Sequence, residues 1–180
     1  MDETVGGDSR YTRVAIALHW TMAALIIFNL IVGLAHDVME KAMGASPIPL
    51  HKSIGLTVLA LAFVRIGWRW THRPPPLPAG TPARERRIAH AVHILLYGLM
   101  LIMPMTGWIL SSAGKYPLNW FGLFAVPKFA VMKGAPIATA SNAAHYWLGL
   151  MLVALVIGHM LAALRHHFLL RDTVLRRMIG

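Results

Sequence analysis

Four long stretches that carry almost no charge constrain the fold of this chain more than any other feature of its sequence. They are residues 14–35, 53–70, 88–110 and 143–164. Only the second contains charged residues, Arg65 and Arg69. Each has roughly the 17 to 25 residues that a helix needs to cross the hydrocarbon core of a bilayer. We therefore predict an all-α membrane protein, a four-transmembrane-helix bundle that forms a single domain over residues 1–180.

The composition and the net charge support a protein in lipid. Hydrophobic residues make up 57% of the chain and charged residues 13%, which is too apolar for a water-facing surface. The formal net charge is +10, but the arginines flank the apolar stretches and form no basic stripe on a soluble domain. Membrane topology and anionic headgroups explain this charge, and nucleic-acid binding is not predicted.

The distribution of the basic residues predicts the orientation of the bundle. Arginines precede the first stretch, lie between the second and third, and follow the fourth. Because loops rich in Lys and Arg stay in the cytoplasm, we expect both termini and residues 71–87 to be cytoplasmic. Residues 1–13 lack the cleavage pattern of a signal peptide, so we expect the first helix to remain uncleaved. The proline-rich residues 72–82 predict a semi-rigid connector, and residues 111–142 predict a partly folded cap on the outer face.

The histidines carry the functional prediction. The chain has ten of them, and His36, His72 and His167 fall at membrane boundaries or in loops and need no function. Four others lie inside or at the edge of an apolar stretch, namely His19, His51, His145 and His159. An unpaired polar ring is costly there, so such residues are candidates for function. Taken singly, each could instead form an interhelical hydrogen bond.

The depths of these four histidines match in pairs. His19 lies near the cytoplasmic side, whereas His51 and His145 lie near the outer side. His159 follows His145 by 14 residues, which places it about 21 Å deeper and within roughly 40° of the same helix face. We therefore predict an inner pair, His19 with His159, and an outer pair, His51 with His145. Such pairs indicate bis-histidine ligation of two stacked hemes.

The same 14-residue step on the first two spans reaches residues suited to a macrocycle. From His19 the step reaches Gly33, at the level of the outer heme, and from His51 it reaches Arg65, at the level of the inner heme. A glycine lets a macrocycle approach the backbone, and a buried arginine pairs with a heme propionate. Gly55 and Gly158 also free volume on the ligand faces, although ordinary helix packing explains glycines in membrane helices equally well.

The absence of cysteine narrows the cofactor. Without cysteine the chain has no attachment site for a c-type heme and no thiolate for an iron–sulfur cluster, so we predict two heme b groups. A zinc or copper site formed by histidines alone is the competing interpretation. Two-ligand sites about 21 Å apart suit planar macrocycles better than tetrahedral ions. His90 and His93 are alternative ligands, or they contact a propionate or a quinone head group.

Several segments, which are distributed over nearly the whole chain, resemble those of the bacterial cytochrome b561 family. They are RVAIALHW (13–20), PLHKSIG (49–55), VRIGWR (64–69), RIAHAVH (87–93), PMTGW (104–108), AAHYWLG (143–149) and VIGH (156–159). The resemblance implies a four-helix diheme cytochrome of the bacterial inner membrane. Its ligand histidines correspond to His19, His51, His145 and His159.

The resemblance also implies an activity. Short stand-alone members resemble superoxide oxidase, which takes electrons from superoxide at the periplasmic face and gives them to ubiquinone as substrate or bound cofactor. Related diheme subunits instead connect a hydrogenase or dehydrogenase partner to the quinone pool. The lack of an extra domain favours the stand-alone function. A transporter that relays protons through buried histidines is the alternative without heme.

Two sets of residues are candidates for the substrates. Lysines on the outer side could attract a small anion such as superoxide, or could serve surface solubility alone. They are Lys52, Lys115, Lys128 and Lys133. His166 and Arg69, near the level of the inner heme, are candidates for a quinone site.

Overall fold

Four long α-helices account for most of the protein, for which the computed structural model describes residues 10–78 and 80–179. The helices are α1 (Arg13–Met43), α2 (Ile48–Thr71), α3 (Ala83–Ser112) and α4 (Pro136–Arg165). All four are long and apolar enough to cross a membrane, as the sequence predicts. Residues 1–9 lie outside the described residues. The prediction of an uncleaved first helix depends in part on them.

The helices extend beyond the apolar stretches because capping groups, and not hydropathy, determine where they end. Helix α1 begins after Thr12, whose side chain accepts a hydrogen bond from the Ala15 N–H at 3.2 Å. It stops at Gly44, which has a φ of 68° and donates its N–H to Glu40 O at 2.9 Å. A left-handed glycine commonly ends a helix in this way. The helix therefore reaches Met43, about two turns past the predicted stretch.

Each helix packs against the next one along the chain, α1 with α2, α2 with α3 and α3 with α4. The starts of α1 and α3 and the ends of α2 and α4 therefore share one end of the bundle, which we call the termini end. The opposite end carries the segment between α3 and α4 and is called the hairpin end. Few side chains are fully buried. Met22 of α1 packs with Ile54, Val58 and Ala62 of α2, and large apolar side chains such as Phe63 face outward, as lipid allows.

The segment between α3 and α4 forms a β-hairpin. Strand β1 (Leu118–Trp120) pairs antiparallel with β2 (Phe124–Val126). The turn places Phe121 and Gly122 at φ values of 49° and 74°, and two successive positive φ values match the twist of hairpin strands. The prediction of a partly folded segment is thus confirmed, whereas its position on the outer membrane face stays a prediction.

The hairpin is fixed to α2 by hydrogen bonds from side chains of that helix. Ser53, which is buried, accepts from the Phe121 N–H at 2.9 Å and donates to Asn119 O at 3.2 Å. Trp120 Nε1 donates to Thr57 Oγ1 at 3.0 Å. These contacts hold the hairpin over the first turns of α2.

At the termini end the chain folds back after α4. A π-helical turn, His166–Leu170, continues α4, and a short helix α5 (Arg176–Ile179) follows. Trp20 Nε1 of α1 donates to Met178 O at 2.6 Å, and Arg177 donates to Pro76 O of the α2–α3 loop at 2.7 Å. The C-terminal segment therefore bonds to both α1 and that loop, which has no helical residues between 73 and 78.

Candidate functional site

Two pairs of histidine rings face each other across the bundle at different depths. At the hairpin end, the ring centroids of His51 in α2 and His145 in α4 lie 6.0 Å apart, with ring planes at 79°. Toward the termini end, His19 in α1 and His159 in α4 lie 6.2 Å apart, with planes at 70°. The structure thus brings the four histidines together in the two pairs that their depths predict.

The spacing of both pairs suits a metal ion between the rings. An iron that binds two imidazole nitrogens at about 2 Å each holds the ring centroids a little over 6 Å apart, because each centroid lies about 1 Å behind its nitrogen. The separations of 6.0 and 6.2 Å agree with this value. They are too long for a direct hydrogen bond between facing rings, whose nitrogens would need to lie about 3 Å apart or less.

Hydrogen bonds orient the rings at the hairpin end. His51 Nδ1 lies 3.1 Å from Asn29 O of α1. His145 Nδ1 lies 3.2 Å from Met103 O and 3.0 Å from Thr106 Oγ1, both in α3. Since a carbonyl oxygen accepts, each Nδ1 carries the proton, and the Nε2 lone pair is left for a further partner. Metal-binding histidines are commonly held by a backbone carbonyl in this manner.

Two glycines let the neighbouring backbones approach these rings. A Cβ at Gly33 of α1 would lie 3.0 Å from His51 Cε1, and a Cβ at Gly107 of α3 would lie 2.9 Å from His145 Cε1. Both positions therefore exclude a larger residue unless the ring moves. Gly33 lies beside the hairpin-end pair, as its spacing from His19 predicts.

The other two glycines that the sequence singles out differ from each other. Gly55 lines the cavity at the hairpin end. A Cβ at Gly158 would meet no atom within 4 Å, so close helix packing does not explain that glycine among the described residues.

All four long helices line a cavity of about 350 Å³ at the hairpin end. Its wall contains both rings of the pair there, together with Gly33, Gly55 and Gly107. The remaining lining is predominantly apolar, and both size and character are typical of sites for small molecules and cofactors. The chain therefore provides, next to two imidazoles with available Nε2 atoms, a space suited to an apolar macrocycle.

Arg65 is the principal charged group beside the termini-end pair. Its Nη2 lies 3.2 Å from His19 Nδ1, and its Nε donates to Tyr97 Oη at 3.0 Å. Its Nη1 is buried without a hydrogen-bond partner among the described residues. A partly buried guanidinium whose Nη1 is buried and unpaired fits a carboxylate, which accepts two parallel hydrogen bonds. The structure thus places Arg65 at the predicted level.

The contact between Arg65 and His19 bears on how a metal would bind. A guanidinium only donates, so His19 Nδ1 must accept and the ring proton resides on Nε2. A metal on Nε2 would move that proton to Nδ1. The guanidinium must then turn to another acceptor, and a propionate would provide one.

A third ring lies close to the termini-end pair. The centroid of His93 in α3 is 5.5 Å from that of His159, whereas His90 has no ring contact among the described residues. His93 is therefore an alternative partner for His159, although its separation is shorter than the 6.2 Å of His19. Within residues 10–78 and 80–179, no group of three or more His, Asp or Glu side chains is placed to hold a metal ion.

The residues predicted to serve substrates lie at the expected ends. Arg69 lies over the Tyr97 ring, 5.6 Å from its centroid, and His166 bonds to Asp172. Within the part of the chain that the structure describes, the two quinone candidates make no recorded contact with each other. At the hairpin end, Lys52 is half-buried and lines the cavity. The other three lysines are exposed, namely Lys115, Lys128 and Lys133.

Sequence reasoning missed several residues of the site. Gly107, Thr106 and the Met103 carbonyl contact His145 from a neighbouring helix, and Asp172 bonds to His166. The only sequence signal for the first group is the segment PMTGW, which places a proline and a glycine inside an apolar helix. Such residues in a helix interior need a packing reason.

Comparisons with known proteins agree over nearly the whole chain. The sequence profile of the family described as "Prokaryotic cytochrome b561" matches residues 10–180. "Cytochrome b561 homolog 2" of Escherichia coli strain K12 is 35% identical over 95% of this chain and 92% of that protein. "Cytochrome b562" of Cereibacter sphaeroides is 33% identical over 94% of both chains. "Probable superoxide oxidase CybB" of Yersinia pestis is 26% identical over 94% of this chain and 96% of that protein.

The close approach of Gly107 to His145 gives a testable expectation. Gly107→Ala should displace the His145 ring and lower the heme bound per chain, because overpacking disturbs the ring pair to which His145 belongs. Gly98→Ala in the same helix is the matched control, since a Cβ there meets nothing within 4 Å. Absorbance of the purified proteins measures the heme-to-protein ratio. Equal heme content in both variants would show that the Gly107 contact does not position His145.

Proposed function

The chain belongs to the prokaryotic cytochrome b561 family, whose members are membrane b-type cytochromes that transfer electrons, and we propose that it binds two hemes b. His19 and His159 are the axial ligands of one heme, and His51 and His145 are those of the other. The observation that carries this proposal is the matching separation of the two ring pairs, 6.2 and 6.0 Å. A single cytochrome domain over residues 1–180 is part of the proposal.

Ring geometry supports the proposed ligand assignment. Both proposed pairs approach the separation of a little over 6 Å expected for two nitrogens at about 2 Å from one iron, whereas His93 lies closer to His159, at 5.5 Å. His93 therefore flanks the termini-end site without ligating. Each bound heme supplies a carrier that accepts and releases one electron.

Arg65 and Tyr97 complete the termini-end site. The unpaired Nη1 of Arg65 is proposed to bind a propionate of the heme there, and Tyr97 Oη holds the guanidinium in place through Nε at 3.0 Å. A partly buried arginine in the middle of a membrane helix favours such an anion, because an uncompensated charge in hydrocarbon is costly. Ligation through His19 Nε2 would place the ring proton on Nδ1 and remove the acceptor of Arg65 Nη2, and the propionate would provide an acceptor in its place.

The two sites place the electron donor and acceptor at different ends of the bundle. The ligands on α4 are 14 residues apart, which corresponds to about 21 Å along the helix. We place the hairpin end in the periplasm and the termini end in the cytoplasm of a bacterial inner membrane. The support is the arginines at the termini end, which the positive-inside rule assigns to the cytoplasm.

The proposed reaction is the transfer of electrons from superoxide to ubiquinone. Two superoxide anions give up one electron each and become O₂, and one quinone takes up two electrons and two protons to become quinol. Superoxide is a charged species in water and should react at the hairpin end, where Lys52 lines the cavity. The support from relatives is the printed name of the Yersinia pestis protein, which is 26% identical.

Quinone reduction is proposed to occur at the termini end. Ubiquinone is lipid-soluble and approaches the bundle from the bilayer, and His166 and Arg69 are the candidate contacts for its head group. Arg69 lies over the same tyrosine ring that Arg65 contacts, so it is close to the termini-end heme site. The alternative function is a cytochrome subunit that connects a hydrogenase or dehydrogenase partner to the quinone pool.

Replacement of single ligands tests the proposed pairing. His145→Ala should remove the heme at the hairpin end and leave about half of the b-type absorbance, because the other pair is intact. His93→Ala is the control at the termini end and should retain both hemes, whereas His19→Ala should lose one. The measurement is the reduced-minus-oxidised spectrum of folded protein, with folding checked by circular dichroism. Loss of heme in His93→Ala with retention in His19→Ala would reverse the ligand assignment.

Charge at the hairpin end tests superoxide as the donor. Superoxide-dependent quinol formation by the purified protein should slow as ionic strength rises, because salt screens the attraction between lysines and the anion. The triple change of Lys115, Lys128 and Lys133 to Glu should slow it on the order of tenfold at low salt. Arg84→Glu, at the termini end, should leave the rate unchanged. Slow kinetics that are indifferent to salt and to these lysines would contradict steering and favour a protein donor.

A further inference from the structure

The end of α4 has an unusual local structure around one acidic side chain. The helix widens into the π-helical turn His166–Leu170, and the next residue, Arg171, takes a left-handed conformation with φ 53°. Both features are uncommon, and single π-helical turns and left-handed non-glycine residues occur frequently at functional sites. Together they reverse the chain so that Asp172 returns to His166.

The turn fixes Asp172 against the His166 ring. His166 Nδ1 lies 2.5 Å from Asp172 Oδ2, and the two side chains are 17% and 23% exposed. Asp172 Oδ1 accepts the Val174 N–H at 3.0 Å, and the Asp172 N–H donates to His166 O at 3.2 Å. Both carboxylate oxygens are thus engaged, so the carboxylate is held in one orientation toward the ring.

The position of His166 relates this pair to the termini-end heme site. His166 follows His159 by seven residues, which places it about 10 Å farther along α4 and within roughly 20° of the same face. It therefore lies between the proposed heme ligand and the water at the termini end. A quinone that enters from the bilayer at this depth has one side near His159 and the other near His166.

We infer that Asp172 positions His166 as the proton donor for the quinone, an inference that rests on the proposed reduction of quinone at this end. The carboxylate accepts from Nδ1–H and holds the ring in one orientation, with Nε2 on the side away from Asp172. Since Nδ1 is engaged, Nε2–H is the proton available to a second partner. The pair thus resembles the histidine–carboxylate arrangement used in general acid–base catalysis.

The proton transfer balances with the electrons. The quinone takes up two electrons, which two superoxide anions supply through the cytochrome. For each proton, the Nε2–H bond of His166 breaks and an O–H bond forms on the reduced quinone, which leaves a neutral imidazole. That ring regains its Nε2 proton from water at the termini end. Two such transfers complete one quinol.

The test uses the full heme-loaded chain in lipid nanodiscs, reduced chemically and then mixed with ubiquinone-1. Asp172→Asn keeps an oxygen that accepts from Val174 N–H but puts an amide nitrogen in place of the oxygen that accepts from His166 Nδ1–H. It should lower the maximum rate of quinol formation about tenfold without changing the half-saturating quinone concentration. The rate of quinol formation by this variant should also fall more in D₂O than the wild-type rate does. Asp172→Glu should recover part of the lost rate.

The chain offers a matched control at the opposite end. His36 Nε2 and Asp37 Oδ1 form a second histidine–aspartate pair at 3.2 Å, so Asp37→Asn removes the same charge and should leave the rate unchanged. If Asp172→Asn does not accumulate in the membrane, His166→Gln must give the same loss of rate and the same isotope effect. Superoxide-driven reduction of the hemes should be unaffected by either change at the termini end.

The possible failures are distinguishable. One outcome is that the wild-type protein reduces ubiquinone-1 and that Asp172→Asn is equally fast, or is slower without a larger isotope effect. This outcome overturns the role of Asp172 and leaves the proposed function intact. Reduced wild-type protein that gives no electrons to ubiquinone-1 overturns both. A third outcome is that Asp172→Asn is slow and has a larger isotope effect, but superoxide does not reduce the protein. This outcome supports the role of the His166–Asp172 pair and contradicts only superoxide as the electron donor.

Discussion

An imidazole ring inside a membrane must satisfy both of its nitrogens, and the arrangement of the bundle follows from that requirement. At the hairpin end, His51 and His145 each give Nδ1–H to the backbone of a neighbouring helix. Their Nε2 lone pairs remain, and no water is available in hydrocarbon to pair with them. In the proposed diheme arrangement, a heme iron between the rings satisfies both lone pairs at once. The helices therefore need to hold the rings about 6 Å apart, as they do.

The backbone has to accommodate those rings, and this explains the placement of small residues. Gly33 and Gly107 approach His51 and His145 from α1 and α3, so closely that a Cβ would lie 3.0 Å or less from a ring atom. Each ring at the hairpin end thus has a carbonyl on one neighbouring helix and a glycine on that same helix. The orientation of each ring therefore depends on a helix that contributes no histidine to that pair, as well as on the helix that carries the ring.

Hydropathy and helical spacing predict much of this arrangement from the sequence alone. The depth of a residue in the membrane follows from its position in the sequence. Equal depth therefore pairs His19 with His159 and His51 with His145. Helix rotation is not readable in the same way, because a membrane helix is apolar on all faces. For this reason the sequence alone does not decide whether His19 or His93, which also lies near His159, is the partner of His159.

Other features escape prediction because they depend on contacts between distant segments or on local backbone geometry. The true ends of α1 depend on capping by Thr12 and Gly44, which hydropathy does not register. The role of Thr106 depends on its contact with a ring 39 residues away. Asp172 reaches His166 only because the chain reverses through a π-helical turn and a left-handed Arg171, and no periodic pattern announces such a turn.

The central claim is that each of two ring pairs ligates one heme, and the low-temperature electron paramagnetic resonance spectrum of the oxidised purified protein tests it most directly. Two imidazoles on one ferric heme give a low-spin signal, and near-perpendicular ring planes make that signal highly anisotropic. Since the planes meet at 70° and 79°, the account predicts two such signals of equal intensity, with two hemes per chain by absorbance. A single heme per chain, or a high-spin signal that accounts for half of the iron, would contradict it.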